Sequence, residues 1–281
     1  MFKTLISAAN LATHKDNANW VVLDCRHDLM DHSAGQKAYD HGHIPGAQFV
    51  NLEQHLSAAK TGPDGTFRGR HPLPEKETFI ASLRSFGIND DTQVIVYDAQ
   101  GGMYAARLWW MLRWIGHDAV AVLDGGLPAW QAADLPVTTE VPAARAGHIT
   151  EKHTLALTVD VIDVLGNISS GARTLVDARA ADRFRGENET IDPVGGHIPG
   201  AKNRFFKDNL QVDGRFKPGA QLQHEWGVIV GDASKAIMQC GSGVTACHNL
   251  LALEVAGMHG ALLYPGSWSE WCADASRPVE R

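Results

Sequence analysis

One cysteine of the chain stands where its thiol could act as a nucleophile. Cys240 opens the stretch Cys-Gly-Ser-Gly-Val-Thr-Ala, and a helix-like run follows over residues 247–253. Gly241 and Gly243 allow the backbone to curl, so that successive amide N–H groups can cradle an anion, and the helix adds its positive dipole end. Both effects favour thiolate over thiol, and they would also stabilise a persulfide anion on the same sulfur. On the loop alone, a buried structural cysteine at a strand end is the alternative.

The chain contains two copies of one pattern. Residues 42–47, Gly-His-Ile-Pro-Gly-Ala, return letter for letter at residues 196–201. Two further matches keep the same order along the chain: Val-Val-Leu-Asp-Cys-Arg (21–26) with Thr-Leu-Val-Asp-Ala-Arg (174–179), and Trp130 with Trp271. A repeated order of this kind indicates a duplicated structural unit. We therefore expect an N-terminal domain over residues 1–138, a linker over 139–153 and a C-terminal domain over 154–281.

Each copy is predicted to be an α/β domain, a mostly parallel sheet flanked by helices on both faces. Short apolar runs at residues 94–97 and 236–239 suit buried parallel strands, and residues 105–115 suit a helix whose tryptophans lie in the core. The Gly-His-Ile-Pro-Gly-Ala motif suits a turn, and its presence in both copies indicates a structural role.

The two copies differ at the position that could do chemistry. When the repeats are aligned past their central strands, Asp98 of the first copy matches Cys240 of the second. Ligand sites of α/β sheets lie at the carboxyl ends of strands, where both residues fall. Because an aspartate cannot carry sulfur, we expect the N-terminal domain to be catalytically inert and the single active site to lie in the C-terminal domain.

Composition excludes several classes of function. Of 281 residues, 44% are hydrophobic and 20% are charged, which describes an ordinary globular protein, and a formal charge of −7 argues against a nucleic-acid partner. The fourteen histidines are scattered, with no His-Glu-x-x-His and no Cys-x-x-Cys, so no metal site is expected. No apolar run approaches the roughly 20 residues that span a bilayer, so no membrane partner is expected either.

The four cysteines are too few and too irregularly spaced for a disulfide framework. They indicate reduced thiols in a reducing compartment, and we expect a cytoplasmic protein. Cys25 and Cys247 are expected in the core, whereas Cys272, near the end of the chain, is expected to be more exposed.

Taken together, the motifs resemble the two-domain sulfurtransferases of the rhodanese superfamily, over nearly the whole chain. The Asp-x-Arg strands, both Gly-His-Ile-Pro-Gly motifs and the loop at residues 240–246 carry the resemblance. It implies a persulfide on Cys240 and an inert first domain. It also implies that the donor binds against four further residues of the loop: Gly241, Gly243, Val244 and Thr245.

The resemblance bears on which sulfur donor is used. Thiosulfate enzymes of the family usually carry Arg and Lys just after the cysteine, whereas mercaptopyruvate enzymes carry Gly and Ser, as Gly241 and Ser242 do here. Ser242 would donate a hydrogen bond to the departing enolate or to the attacked sulfur, and a turn-forming serine is the alternative. Arg183 matches the family arginine that holds the donor's carboxylate or sulfonate, a task that suits a forked guanidinium. A surface ion pair with Asp182 or Glu187 is its alternative.

Three further positions can be compared with the mercaptopyruvate enzymes: two residues of the first half, and one arginine that this chain lacks. Glu53 and His71 match an acidic residue and a histidine of the mercaptopyruvate enzymes, and a neutral imidazole there could assist proton movement near Cys240; a solvated loop is the alternative for both. The second clamp arginine of those enzymes is absent, because residues 187–193 contain three acidic residues and no arginine. Either Arg185 substitutes for it or the donor is held less firmly, which leaves thiosulfate open.

The predicted activity is a double displacement that needs no metal and no organic cofactor. The Cys240 thiolate takes sulfur from a small-molecule donor, 3-mercaptopyruvate, and passes it to cyanide, a small thiol or thioredoxin. A thiosulfate sulfurtransferase is the first alternative. A non-catalytic persulfide carrier or redox sensor, read by a protein partner, is an alternative of another class.

Overall fold

Strands and helices alternate along the chain in a computed structural model that describes residues 1–14, 17–143 and 145–281. They form two compact units, and each includes one short segment from the other half of the sequence. Unit 1 comprises residues 1–57, 74–155 and 210–216, and unit 2 comprises residues 58–73, 156–209 and 217–281. The predicted domain boundaries remain predictions, and Ala144 of the predicted linker lies outside the described residues.

Unit 1 is built on a parallel sheet in which five strands are described, in the order β1-β5-β4-β2-β3. The strands are β1 (Leu5–Ile6), β2 (Trp20–Asp24), β3 (Gln48–Phe49), β4 (Gln93–Tyr97) and β5 (Val120–Leu123). The helices are α1 (Ala8–His14), α2 (Ala34–His41), α3 (Leu52–His55), α4 (Lys76–Ser85), α5 (Ala105–Trp114) and α6 (Gly126–Ala132). Every residue of β4 is buried, as its uninterrupted apolar run predicts for a central parallel strand.

Unit 2 repeats this plan with a parallel sheet in which four strands are described, in the order β7-β6-β8-β9. The strands are β6 (Thr174–Asp177), β7 (Lys202–Asn203), β8 (Ala236–Gln239) and β9 (Leu262–Leu263). The helices are α7 (Val161–Ser170), α8 (Ala181–Phe184), α9 (Gly219–Val230), α10 (Thr245–Val255) and α11 (Ser267–Trp271), with 3₁₀ turns at Phe206–Asn209 and Ala233–Lys235. Thr158 forms a parallel bridge to Leu263 at the place where unit 1 has β1.

The two sheets share one strand order, since β3-β2-β4-β5 corresponds to β7-β6-β8-β9. The predicted fold class, two α/β copies with parallel sheets flanked by helices, is confirmed. The predicted helix at residues 105–115 is α5. Its tryptophans Trp109 and Trp110 are buried in the core as expected, whereas Trp114 is only partly buried.

The repeated motifs have a structural role in each unit. Arg26 forms an ion pair with Asp24 and donates through Nη2 to the carbonyl oxygen of Gly42 (2.7 Å), the first residue of the Gly-His-Ile-Pro-Gly-Ala motif. Arg179 donates in the same way to Gly196 of the second copy (2.7 Å). Each arginine therefore ties the end of a central strand to the turn that follows it, which explains why both copies keep both motifs.

All four cysteines are free and buried. The expectation that Cys272 is more exposed was wrong: its side chain packs in the core cluster around Trp268 and Trp271 and is only 7% exposed. Burial raises the pKa of the Cys272 thiol to about 11. Among the described residues, no helix is long and apolar enough to cross a bilayer.

Candidate active site

The loop after β8 is held in place by the start of α11. Cys240 is buried and is the first residue beyond the carboxyl end of this interior strand. Its amide donates to Oγ of Ser267 (3.1 Å), and its carbonyl oxygen accepts from the amide of Trp268 (3.0 Å). The carbonyl oxygen of Gly241 accepts from the amide of Ser269 (2.9 Å). These three bonds fix the backbone on both sides of the thiol.

Gly243 allows the loop to turn into α10. Its φ is +77°, and a Cβ at this position would lie 2.3 Å from the carbonyl oxygen of Pro265, so both the backbone conformation and the close approach require glycine. Val244 already has helical dihedral angles, and α10 begins at Thr245. An 11-residue helix thus starts directly after the loop, and its N-terminus favours negative charge there.

The matching loop of unit 1 shows what such a curled backbone binds. The carboxylate of Asp98, directly after β4, is fully buried and accepts four backbone N–H bonds. The donors are the amides of Gln100 (2.8 Å), Gly102 (2.9 Å), Tyr104 (2.8 Å) and Ala105 (2.9 Å). Burial raises the pKa of the Asp98 carboxyl, although the four donors act in the opposite direction. The loop is therefore an anion cradle, and in unit 1 the protein's own carboxylate fills it.

Two of the predicted site residues meet beside Cys240. Nδ1 of His71 lies 2.7 Å from Oγ of Ser242, and both side chains are buried. His71 belongs to segment 58–73 of unit 2. This segment is anchored by the amide of Arg70, which donates to Oγ of Ser269 (3.1 Å). Gly69 packs closely beside it: its φ is +98°, and a Cβ there would lie 2.9 Å from the carbonyl oxygen of Gly266.

Two guanidinium groups lie over Gly241. A Cβ at Gly241 would lie 2.7 Å from Nη2 of Arg70 and 3.9 Å from both Nη atoms of Arg183. Arg183, on α8, is the arginine that the sequence singled out, whereas sequence reasoning missed Arg70. The signal that could have found Arg70 is its position directly before His71. A side chain at position 241 would meet the guanidinium of Arg70 where it now lies.

Both guanidiniums contact carboxylates of the acidic stretch at residues 187–193. Arg183 donates to Glu189 through Nε and Nη2 (3.1 and 2.9 Å) and to Asp192 through Nη2 (3.2 Å). Nη1 of Arg70 donates to the other oxygen of Asp192. The guanidinium of Arg183 therefore pairs with Glu189 and Asp192 in a mostly buried network, and not with Asp182 or Glu187 at the surface. The sequence did not single out either of these two acids.

Arg185 lies two positions before this stretch. Its guanidinium donates to the two carboxylate oxygens of Glu187 (2.8 and 2.7 Å), and both side chains are about half exposed. The second guanidinium beside the loop is that of Arg70, which comes from another part of the chain.

Glu53 belongs to unit 1, where it lies on α3 with Oε1 3.9 Å from Nε2 of His32. With His27 these residues form a cluster whose ligand atoms lie within 4.8 Å of one another. Ligands of a tetrahedral zinc ion with bonds of about 2.0–2.1 Å are roughly 3.4 Å apart, and the Glu53–His32 separation of 3.9 Å is wider than this.

Comparison with known proteins connects this geometry to a family. The family model described as "Rhodanese-like domain" matches residues 7–133 and 160–274, one match in each half of the chain. The chain belongs to the rhodanese family. The predicted resemblance is therefore confirmed.

Relatives of this chain match almost its whole length. It is 44% identical over 279 residues to a "Probable 3-mercaptopyruvate sulfurtransferase" of Pseudomonas aeruginosa (98% of this chain, 97% of the relative). It is 40% identical over 292 residues to the "Putative thiosulfate sulfurtransferase SseB" of Mycobacterium tuberculosis (99% and 97%). Among solved structures, 3-mercaptopyruvate sulfurtransferase from Leishmania major matches with a TM-score of 0.84 and 31% identity, covering 96% of this chain and 74% of that one. The predicted enzyme class, a sulfurtransferase, is confirmed.

Proposed function

We propose that the protein transfers sulfur from 3-mercaptopyruvate, through a persulfide on Cys240, to a thiophilic acceptor. The hydrogen bond between Ser242 and His71 is the observation that carries the choice of donor. An α-keto acid donor leaves as an enolate, which must gain a proton, whereas thiosulfate releases sulfite, a stable anion. A hydroxyl and an imidazole in contact are suited to the first task and are not needed for the second.

In the first half-reaction the Cys240 thiolate attacks the sulfur of the donor. An S–S bond forms, the C–S bond breaks, and its electron pair passes to the carbon as the enolate of pyruvate. The thiol proton of the donor ends on this carbon, so pyruvate leaves and the persulfide remains as an anion. Ser242, hydrogen-bonded to His71, supports the proton movement and the developing negative charge on the keto oxygen.

The guanidiniums of Arg70 and Arg183 supply the anion-binding part of the proposed site. They stand over Gly241, next to the nucleophile, and guanidiniums bind carboxylates through two parallel hydrogen bonds. Holding the donor's carboxylate there would present its sulfur to Cys240. Gly241, Gly243, Val244 and Thr245 shape the loop around the transferred sulfur, and the helix terminus stabilises the persulfide anion.

In the second half-reaction a thiophile attacks the outer sulfur and regenerates the Cys240 thiolate. Cyanide would leave as thiocyanate, and a small thiol or thioredoxin would leave as its own persulfide, which predicts ping-pong kinetics. The four free cysteines support a reducing compartment, and we propose the cytoplasm. The predicted catalytic role of Glu53 stays a prediction.

Thiosulfate is the second candidate donor. Two guanidiniums beside the loop also suit a sulfonate-like dianion, and the relative from Mycobacterium tuberculosis is named for thiosulfate. A carrier or sensor that does not turn over is disfavoured, because a protein that only presents a persulfide to a partner needs no donor clamp.

Steady-state sulfur transfer to cyanide, with 3-mercaptopyruvate and thiosulfate in parallel, tests this proposal. We expect a higher kcat/KM for 3-mercaptopyruvate and no turnover by Cys240→Ser, with Cys247→Ser as a matched control that keeps activity. A higher kcat/KM for thiosulfate would reverse the donor assignment. Full activity of the Cys240→Ser variant would refute the nucleophile, and stoichiometric persulfide transfer to a protein without turnover of either donor would favour the carrier.

A further inference from the structure

Asp192 lies between the two guanidiniums that face the catalytic loop. One carboxylate oxygen accepts from Nη1 of Arg70 and the other from Nη2 of Arg183. The side chain of Asp192 is only 3% exposed, and those of Arg70 and Arg183 are 17% and 19% exposed. The groups proposed to bind a donor anion are thus already bound to an internal anion.

Charges in this network balance without any donor. Three guanidiniums face three carboxylates: Arg70, Arg179 and Arg183, and Asp177, Glu189 and Asp192. A donor carboxylate therefore adds one uncompensated negative charge, and thiosulfate adds two. Excess charge in a mostly buried site is costly unless one of the internal anions gives way.

Asp192 is the internal anion with the fewest attachments. Asp177 is paired with Arg179, which is itself tied to the carbonyl oxygen of Gly196. Glu189 accepts from two guanidiniums and from two backbone amides, those of Ile191 (2.9 Å) and Asp192 (3.0 Å). The bonds of the Asp192 carboxylate, by contrast, go to the same two guanidiniums that stand over Gly241.

The electrostatics agree with this ranking. Burial raises the pKa of the Asp192 carboxyl and outweighs the opposing effect of Arg70, while Glu189 raises the pKa further and Arg183 and Arg179 lower it. For Glu189, burial is outweighed by the bonds from Arg183 and the backbone amides, so its pKa is lowered. The charged form is therefore less well stabilised at Asp192 than at Glu189.

We propose that Asp192 is a specificity-determining residue that competes with the donor anion for Arg70 and Arg183. A donor binds by displacing the Asp192 carboxylate from one or both guanidiniums. Because a dianion meets more repulsion from Asp192 than a monocarboxylate does, the residue selects against thiosulfate. This inference rests on the proposed function, since it concerns the binding of the sulfur donor.

The test compares Asp192→Asn with wild type for both donors. Asparagine keeps the shape but removes the competing charge, so KM should fall roughly three- to tenfold for 3-mercaptopyruvate and more for thiosulfate. The ratio of kcat/KM values should shift toward thiosulfate. Glu187→Gln, which removes a charge from the same stretch without contacting Arg70 or Arg183, is the matched control and should leave both KM values unchanged. A higher KM for both donors, or an unchanged ratio, would overturn the proposal and show that Asp192 only orients the arginines.

A binding measurement separates this inference from the activity. Calorimetric titration with pyruvate and with sulfate probes the guanidiniums without sulfur transfer, so it remains informative if neither donor is turned over. We expect tighter binding to Asp192→Asn than to wild type, with the larger gain for sulfate, and loss of most of the gain in Arg70→Gln/Asp192→Asn. Equal affinities of wild type and Asp192→Asn in a variant of unchanged melting temperature would refute competition.

Discussion

Oγ of Ser242 lies 2.7 Å from Nδ1 of His71, although 171 residues separate them in the chain. The contact joins a loop residue two positions after Cys240 to an imidazole on a segment from the first half of the sequence. Because only an enolate leaving group needs a proton, this pair should matter for one donor and not for the other.

Ser242→Ala is therefore expected to lower kcat/KM for 3-mercaptopyruvate by roughly 100-fold, while changing that for thiosulfate less than about threefold. His71→Gln should have a similar effect, and the double variant should be little worse than either single one, because residues that act as a unit are not additive. Parallel steady-state kinetics with both donors measures this. Equal losses with both donors would mean that the pair only supports the loop.

Arg70 should act on donor binding rather than on the chemical step. Arg70→Gln removes one guanidinium beside Gly241, so we expect KM for 3-mercaptopyruvate to rise about tenfold or more with a smaller change in kcat. Arg70→Lys should recover only part of the loss, since an ammonium lacks the fork. Arg185→Gln is the control, because its partner is the exposed Glu187. If Arg185→Gln raised KM as much as Arg70→Gln, the geometry around Gly241 would not define the clamp.

Asp98 should contribute to the stability of unit 1. Asparagine at this position would turn an NH₂ group toward two of the four amide donors that the carboxylate now satisfies. We expect Asp98→Asn to lower the free energy of unfolding by about 2–4 kcal/mol, the cost of buried donors left without acceptors. Chemical denaturation measures the change, and Asp91→Asn, at an exposed position, is the control. A difference below about 0.5 kcal/mol, the range of ordinary surface substitutions, would contradict the cradle.

Glu225 provides a pH-dependent part of the stability. Burial acts to raise its pKa, but hydrogen bonds from Arg204, Gln221 and Lys217 prevail and lower it to about 2, from an ordinary 4.5. A depressed carboxyl pKa stabilises the fold above the unfolded-state value, and this contribution is lost as the pH falls from about 4.5 to 2. Glu225→Gln should cost about 1 kcal/mol at pH 7 and progressively less over that interval. Urea denaturation from pH 7 to pH 2.5 would measure it, and a constant difference down to pH 2.5 would argue against the assignment.

The repeated motifs made the fold predictable, because each one positions backbone that both copies need. Arg26 and Arg179 bind the first carbonyl of their own turn, so the motifs that reveal the duplication also hold each unit together. The difference between Asp98 and Cys240 then predicted which copy could carry sulfur. Short-range sequence was sufficient here because each of these hydrogen bonds joins residues only 16 or 17 positions apart.

Arg70 and Asp192 were not predictable in the same way. Their ion pair joins positions 122 residues apart, and no periodicity or spacing links a residue of the 58–73 segment with the acidic stretch before the second motif. The sequence therefore showed that residues 187–193 lack an arginine, but it did not show that the guanidinium of Arg70 lies beside Gly241. The predicted exposure of Cys272 was wrong for a related reason. A position near the chain end says little about burial when neighbouring tryptophans pack in the core.

The inclusion of residues 58–73 in unit 2 bears on how this gene could be divided or recombined. A fragment that begins in the predicted linker would retain Cys240 and its whole loop but would lack the imidazole of His71 and the guanidinium of Arg70. Cutting between the repeats would therefore separate the proposed nucleophile from part of the proposed donor site. The duplication is modular in sequence, whereas the proposed site is not, so exchange of halves between homologues would also exchange groups proposed to recognise the donor.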